Sequence, residues 1–88
     1  MFVIITYDIS DSKPLNRTRK ILKKYLTWTQ NSVFEGEIAE SKLHKCINEI
    51  EQVIDKNVDS IYLYKVKNKN NISKTSYGVH KNFDEAFL

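Results

Sequence analysis

An α+β fold is predicted for this chain of 88 residues, with two helices laid on one face of a four-stranded antiparallel sheet. Three observations carry the expectation. Short Val/Ile/aromatic-rich runs recur along the chain, and two of them, "FVIITYD" and "DSIYLYKV", are apolar on both alternating sides. Two stretches between the strands place apolar residues at helical spacing. A length of 88 residues suits one small domain, which buries only about 60–65% of its unfolded surface and gains from self-association.

In the first strand Phe2, Ile4 and Thr6 lie on one side and Val3, Ile5 and Tyr7 on the other. "SDSKP" then supplies turn chemistry, with Ser12 as N-cap and Pro14 in the first helical turn. The first helix is expected from Leu15 to about Thr27, on the spacing of Leu15, Ile21, Leu22, Tyr25 and Leu26. "NSVFEGEI" reads as a second strand, Phe34 and Ile38 facing one way, Glu35 and Glu37 the other. "AESKLHKCINEIEQVID" is an amphipathic helix whose stripe is Leu43, Cys46, Ile47, Ile50, Val53 and Ile54. "DSIYLYKV" is a third strand, "KNKNNISK" a lysine-studded loop, "TSYGVHK" a weaker fourth strand and "FDEAFL" an apolar tail.

The expected fold is the ferredoxin-like βαββαβ arrangement plus a short C-terminal strand or tail, for which the elements supply four strands and two helices. The reading is one domain over residues 1–88, with a core at about 1–80 and a C-terminal segment at 81–88. The first and third strands belong in the centre of such a sheet, which agrees with their two apolar sides. Two helices cover one face only, so the other face requires a partner, and a second copy of the chain is the simplest.

The net charge of +3 and pI of about 9.0 permit a polyanion partner without demanding one. A single cysteine, Cys46, excludes an internal disulfide and a cysteine-based zinc site. No signal-peptide pattern opens the chain, and no apolar run reaches the roughly 20 residues that cross a bilayer. A soluble cytoplasmic protein is expected.

Asp8 ends the first strand. It reads either as turn chemistry or as a metal-binding carboxylate, since Mg²⁺ takes one or two protein carboxylates with water and phosphate. A two-fold dimer supplies each carboxylate twice, and two facing copies repel unless a cation or a proton lies between them. Asp11 reads as a loop or cap residue. Arg17, Lys20 and Lys24 share one side of the first helix, with Arg19 and Lys23 in an adjacent row. Such rows are either a solvated face or a phosphate-binding surface. His44 and His80 lack partners at ligand spacing, Cys46 sits on an apolar stripe, and Gly36 and Gly78 are isolated, so no glycine-rich phosphate loop is present.

"YDIS" after an apolar strand, "NRTRKILKKYL", "WTQNSVFEGEI" and "DSIYLYKV" together resemble the CRISPR-associated protein 2 family over nearly the whole chain. The resemblance implies a homodimeric, metal-dependent endonuclease acting on single-stranded RNA or double-stranded DNA. It implies that Asp8 is catalytic and holds Mg²⁺, or Mn²⁺, with its dimer mate. It implies that Arg17 and Arg19 contact nucleic acid, with Ser32 as a secondary candidate, and Lys20, in one row with Arg17, is expected to join them. A further implication is a role in spacer acquisition, in which the dimer bridges CRISPR-associated protein 1, the integrase, and in which "FDEAFL" pairs with the partner subunit or the integrase. The alternatives are a non-catalytic DNA-binding scaffold of that complex and a toxin-like ribonuclease. The chain departs from the family pattern at Trp28, where many members carry arginine, and at Asn31, where many carry an aromatic residue.

Overall fold

The computed structural model describes residues 1–78, the side chain of Lys69 excepted. The elements are β1 (Phe2–Asp8), α1 (Ser12–Tyr25), β2 (Thr27–Gln30), β3 (Val33–Glu37), α2 (Glu40–Glu51) and β4 (Ser60–Val66), followed by a short 3₁₀ turn at Lys69–Asn71. The sheet is antiparallel in the order β2-β3-β1-β4, the ferredoxin-like order expected. Among the described residues no helix is long and apolar enough to cross a membrane.

Two strand assignments change. "NSVFEGEI" is not a whole strand: Asn31 and Ser32 form the turn of a hairpin, and the preceding arm is Thr27–Gln30. That arm is four residues of mixed polarity, too short for a visible period. Of the expected strand "TSYGVHK", residues 75–78 are not extended into any strand, and residues 79–81 lie outside the described residues, as does "FDEAFL". The central pair is therefore β1 and β3, and "DSIYLYKV" is an edge strand. Its two apolar sides have a different cause: Ile61 and Leu63 pack toward the core, whereas Tyr62 and Tyr64 point to the face without helices, 62% and 55% exposed.

Alternation along β1 sorts the two faces. Val3, Ile5 and Tyr7 are buried with Phe34, Leu22, Leu26, Leu43, Cys46 and Ile50 in one core between sheet and helices. Burial pushes the Cys46 thiol up to about 11, with the Glu49 carboxylate adding to the shift, so Cys46 is an inert packing residue. Gly36 is tied to the same layer. A Cβ there would sit 3.3 Å from Leu26 Cδ2, so glycine allows the leucine to close over the hairpin.

The helices are bridged by one polar cluster. Lys24 Nζ donates to Glu49 Oε1 at 2.5 Å, and the Tyr25 hydroxyl donates to Glu49 Oε2. The hydrogen bond to Glu49 pushes the Tyr25 pKa up to about 12, and the Lys24 and Tyr25 donors hold the Glu49 carboxyl below its usual value. For Glu49 the lowered native pKa means that the stabilisation is present above about pH 4.5 and is lost as pH falls through the native value. For Tyr25 the raised native pKa means that it is present below pH 10.0 and is lost as pH rises toward 12. Glu49→Gln is accordingly expected to lower Tm at pH 7, with the gap to wild type shrinking as acid protonates Glu49. A thermal melt series from pH 7 to pH 3 checks this, and a gap independent of pH would refute it.

Candidate phosphodiester site at the end of the central strand

Asp8 is the last residue of β1, opposite Ser60 of β4, and it is exposed. Because Tyr7 points into the helix-covered core, Asp8 points to the opposite face, the one that no helix among the described residues covers. That face is laid out in rows across the strands. Phe2 lies between Glu37 and Val66, Ile4 between Glu35 and Tyr64, and Thr6 between Val33 and Tyr62. The two acids of β3 in these rows are matched by cations, Glu35 by Lys74 and Glu37 by the N-terminal amine at 3.5 Å. What remains is a largely apolar, aromatic surface with a carboxylate at one end.

Asp8 itself joins no ion pair among the described residues. Nor do three or more His, Cys, Asp or Glu side chains converge anywhere among them in a way that could hold a metal ion. One chain thus offers a single hard oxygen donor at this position, half of what an Mg²⁺ site built on two carboxylates takes from protein.

The cations lie on the other side of the strand end. α1 carries Lys13, Arg17, Arg19, Lys20, Lys23 and Lys24 and no acid. Arg17 and Lys20 are exposed, while Lys24 is committed to Glu49. Arg17 and Arg19, two residues apart, point about 200° apart around the helix. Arg19 is half-buried and its Nε–H donates to the Tyr7 hydroxyl at 3.3 Å, which turns it toward the sheet. The two arginines therefore diverge, Arg19 toward the strand end and Arg17 into solvent, and do not form one fork.

Ser32 reaches the same place through the β2–β3 hairpin. The Tyr7 N–H donates to the Ser32 carbonyl at 3.1 Å, fastening the turn to the residue before Asp8. Asn31 has φ +39°, a left-handed conformation that asparagine tolerates better than most residues. Thr29 is the extra residue of a β-bulge between the Trp28–Phe34 and Gln30–Val33 pairs, and its hydroxyl donates to the Val33 carbonyl at 2.9 Å. Sequence reasoning missed Tyr7 as the partner of Arg19 and missed the fastening of the turn. Both are contacts between layers that no spacing records. His44 is exposed on α2, away from this end, and His80 lies outside the described residues.

Comparison with known proteins identifies the family and the fold. The family model described as "CRISPR associated protein Cas2" matches residues 1–73. A relative from Thermodesulfovibrio yellowstonii, a CRISPR-associated endoribonuclease Cas2, is 56% identical over 80 residues, covering 91% of this chain and 90% of its own. One of the same name from Dictyoglomus turgidum is 36% identical over the full length of both chains. Among solved structures, a crystal structure of Cas2 superposes with a TM-score of 0.83 at 35% identity, covering 97% of this chain and 94% of that one. Streptococcus pyogenes Cas2 gives 0.69 at 31% identity, with 88% and 100% covered. With the helix-free face, the strand-end aspartate and a match over 73 of 88 residues in hand, the chain is a member of the CRISPR associated protein Cas2 family.

Proposed function

We propose that the protein is a homodimeric, metal-dependent endoribonuclease that cleaves single-stranded RNA, with Asp8 of both subunits at its centre. The observation that carries the reading is the placement of Asp8 at the end of an uncovered apolar face. Joining two such faces removes Tyr62, Tyr64, Phe2 and Ile4 from water, and a two-fold axis passing beside Asp8 brings the two strand ends together. Large side chains of this kind contribute roughly 1.5–3 kcal/mol each when fully buried. The pair of Asp8 carboxylates then has the donor chemistry for Mg²⁺ or Mn²⁺, hard cations that bind oxygen. Such an ion supplies Lewis-acid stabilisation of the phosphoryl oxygens and a more acidic water. Arg17 and Lys20 bind the phosphates on either side of the scissile bond, and Arg19 and Ser32 orient the strand at the β1 end. RNA as substrate is favoured by the names of the relatives.

A second reading is supported by α1, whose six cations face no acid of their own helix. In this reading the dimer binds double-stranded DNA along its helix layer and holds the integrase, CRISPR-associated protein 1, on either side during spacer acquisition, without cleaving. The two readings differ in what Asp8 does, while both need Arg17 and Lys20.

The test is cleavage of a single-stranded RNA by the purified protein with Mg²⁺ and with a chelator, beside a filter-binding salt series on RNA and on duplex DNA. Cleavage that needs the ion is expected. Arg17→Ala/Lys20→Ala is expected to reduce the slope of log K against log[salt] on the single strand by about 1.4, from two lost phosphate contacts. Binding without cleavage in every metal would sink the nuclease reading and leave the scaffold.

A further inference from the structure

We propose that Trp28 is a positioning residue for this site, its indole N–H setting the Asn31–Ser32 turn, and with it the Ser32 hydroxyl, against the strand end that carries Asp8. The inference rests on the reading of Asp8 and Ser32 as a nucleic-acid site. Trp28 Nε1–H donates to the Asn31 carbonyl at 3.0 Å. The indole ring is half-buried against the core and lies opposite Phe34, which is fully buried, so the donor is held by packing on a rigid layer. The acceptor, by contrast, belongs to an exposed residue in a left-handed conformation at the tip of a two-residue turn. Such a turn has no packing of its own to fix it.

Two bonds give the turn its place. Trp28 holds the Asn31 carbonyl from the β2 side, and the Tyr7 N–H holds the Ser32 carbonyl from the β1 side. They act on adjacent carbonyls and so define both the position and the tilt of the peptide between them. The bulge at Thr29 is what aims Trp28 at the turn. With the extra residue in β2, the strand pairs Trp28 with Phe34 and still pairs Gln30 with Val33. The bonds continue past Tyr7, whose hydroxyl accepts from Arg19. The edge strand, the serine turn, the strand end and one of the helix arginines are therefore joined in a single series, with Asp8 next to its middle. Phosphate contacts made by Ser32 depend on this series, because a shift of an ångström at the turn takes a hydroxyl out of hydrogen-bond range.

Trp28→Phe keeps an aromatic ring against the core but removes the N–H together with the five-membered ring of the indole, so the coupling to Ser32 rather than the loss alone carries the test. Expected results are a 3- to 10-fold weaker Kd for a single-stranded oligonucleotide, a Tm within a few degrees of wild type, and a rise in KM with kcat little changed. In a double-mutant cycle with Ser32→Ala, the double variant binds no more weakly than Ser32→Ala alone, because both changes remove the same contact. Additive losses, or an unchanged Kd in Trp28→Phe, overturn the inference, and so does a fall in Tm with no change in Kd. Wild type that binds while Ser32→Ala binds equally well also overturns it, yet leaves the role of Asp8 standing. Wild type that binds no oligonucleotide sinks the underlying reading instead.

Discussion

Asp8→Asn is expected to lower Mg²⁺-dependent RNA cleavage on the order of 10³-fold while leaving the fold and the RNA affinity in place. Asparagine has the shape of aspartate and keeps one carbonyl oxygen, but it removes the charge that makes the position a donor for a hard cation. The side chain is exposed and joins no ion pair among the described residues, so Tm should move by no more than an ordinary surface change does, about 0.5 kcal/mol in stability. RNA affinity, set by Arg17 and Lys20 on the helix side, should hold within a factor of two or so. A second consequence has the opposite sign. Two facing carboxylates repel when no cation lies between them, so in chelator the Asp8→Asn dimer should be as tight as wild type or tighter. Single-turnover cleavage and sedimentation in chelator together check both. Cleavage at the wild-type rate would remove Asp8 from the reaction. A weaker dimer in chelator would show that the aspartates do not face each other.

The legible parts of this chain were those whose signal is local. β1 is seven consecutive residues with strong strand preference, and the period of two already places Asp8 opposite in direction to Tyr7. α2 likewise carries its stripe in order, and Leu43, Cys46 and Ile50 are the residues it buries. β2 was not legible. Thr27–Gln30 contains one large apolar residue, a bulge interrupts its register, and its strand state comes from pairing with β3 rather than from its own sequence. "DSIYLYKV" reads as central because it is apolar on both sides. Among the described residues it is an edge strand, and Tyr62 and Tyr64 carry the signature of a covered face that those residues leave exposed. That mistake is informative, since it arises from the same surface that the dimer reading requires.

The candidate site divides in the same way. Asp8, Arg17 and Lys20 are visible in the sequence as a strand-end acid and two helix cations, and each is exposed. The orientation of Arg19 toward Tyr7 depends on how α1 is rotated over the sheet, a quantity fixed by the packing of Leu22, Thr18 and Leu26 and recorded in no spacing. The fastening of Ser32 beside Tyr7 is equally non-local, since it pairs residues separated by 25 positions through a turn whose strand was itself invisible.

Mixing subunits should show that cleavage belongs to the pair and not to the chain. When wild type and Asp8→Asn are refolded together in equal amounts, random pairing gives about one quarter wild-type dimers, about one half mixed dimers and about one quarter variant dimers. A site needing both carboxylates leaves the mixed dimer with a single hard donor, so activity should fall to about one quarter of that of the same total protein as wild type. Chains that act independently would retain about half. Across a series of mixing ratios the first case follows the square of the wild-type fraction and the second is linear. A linear dependence would mean that each chain acts independently through its own Asp8 and that the apolar face buries its tyrosines without building the site. A quadratic one ties the apolar face, the strand-end carboxylate and the reaction to a single two-fold axis. It would also explain why each subunit, among its described residues, sets a single carboxylate at the strand end where the chemistry calls for two.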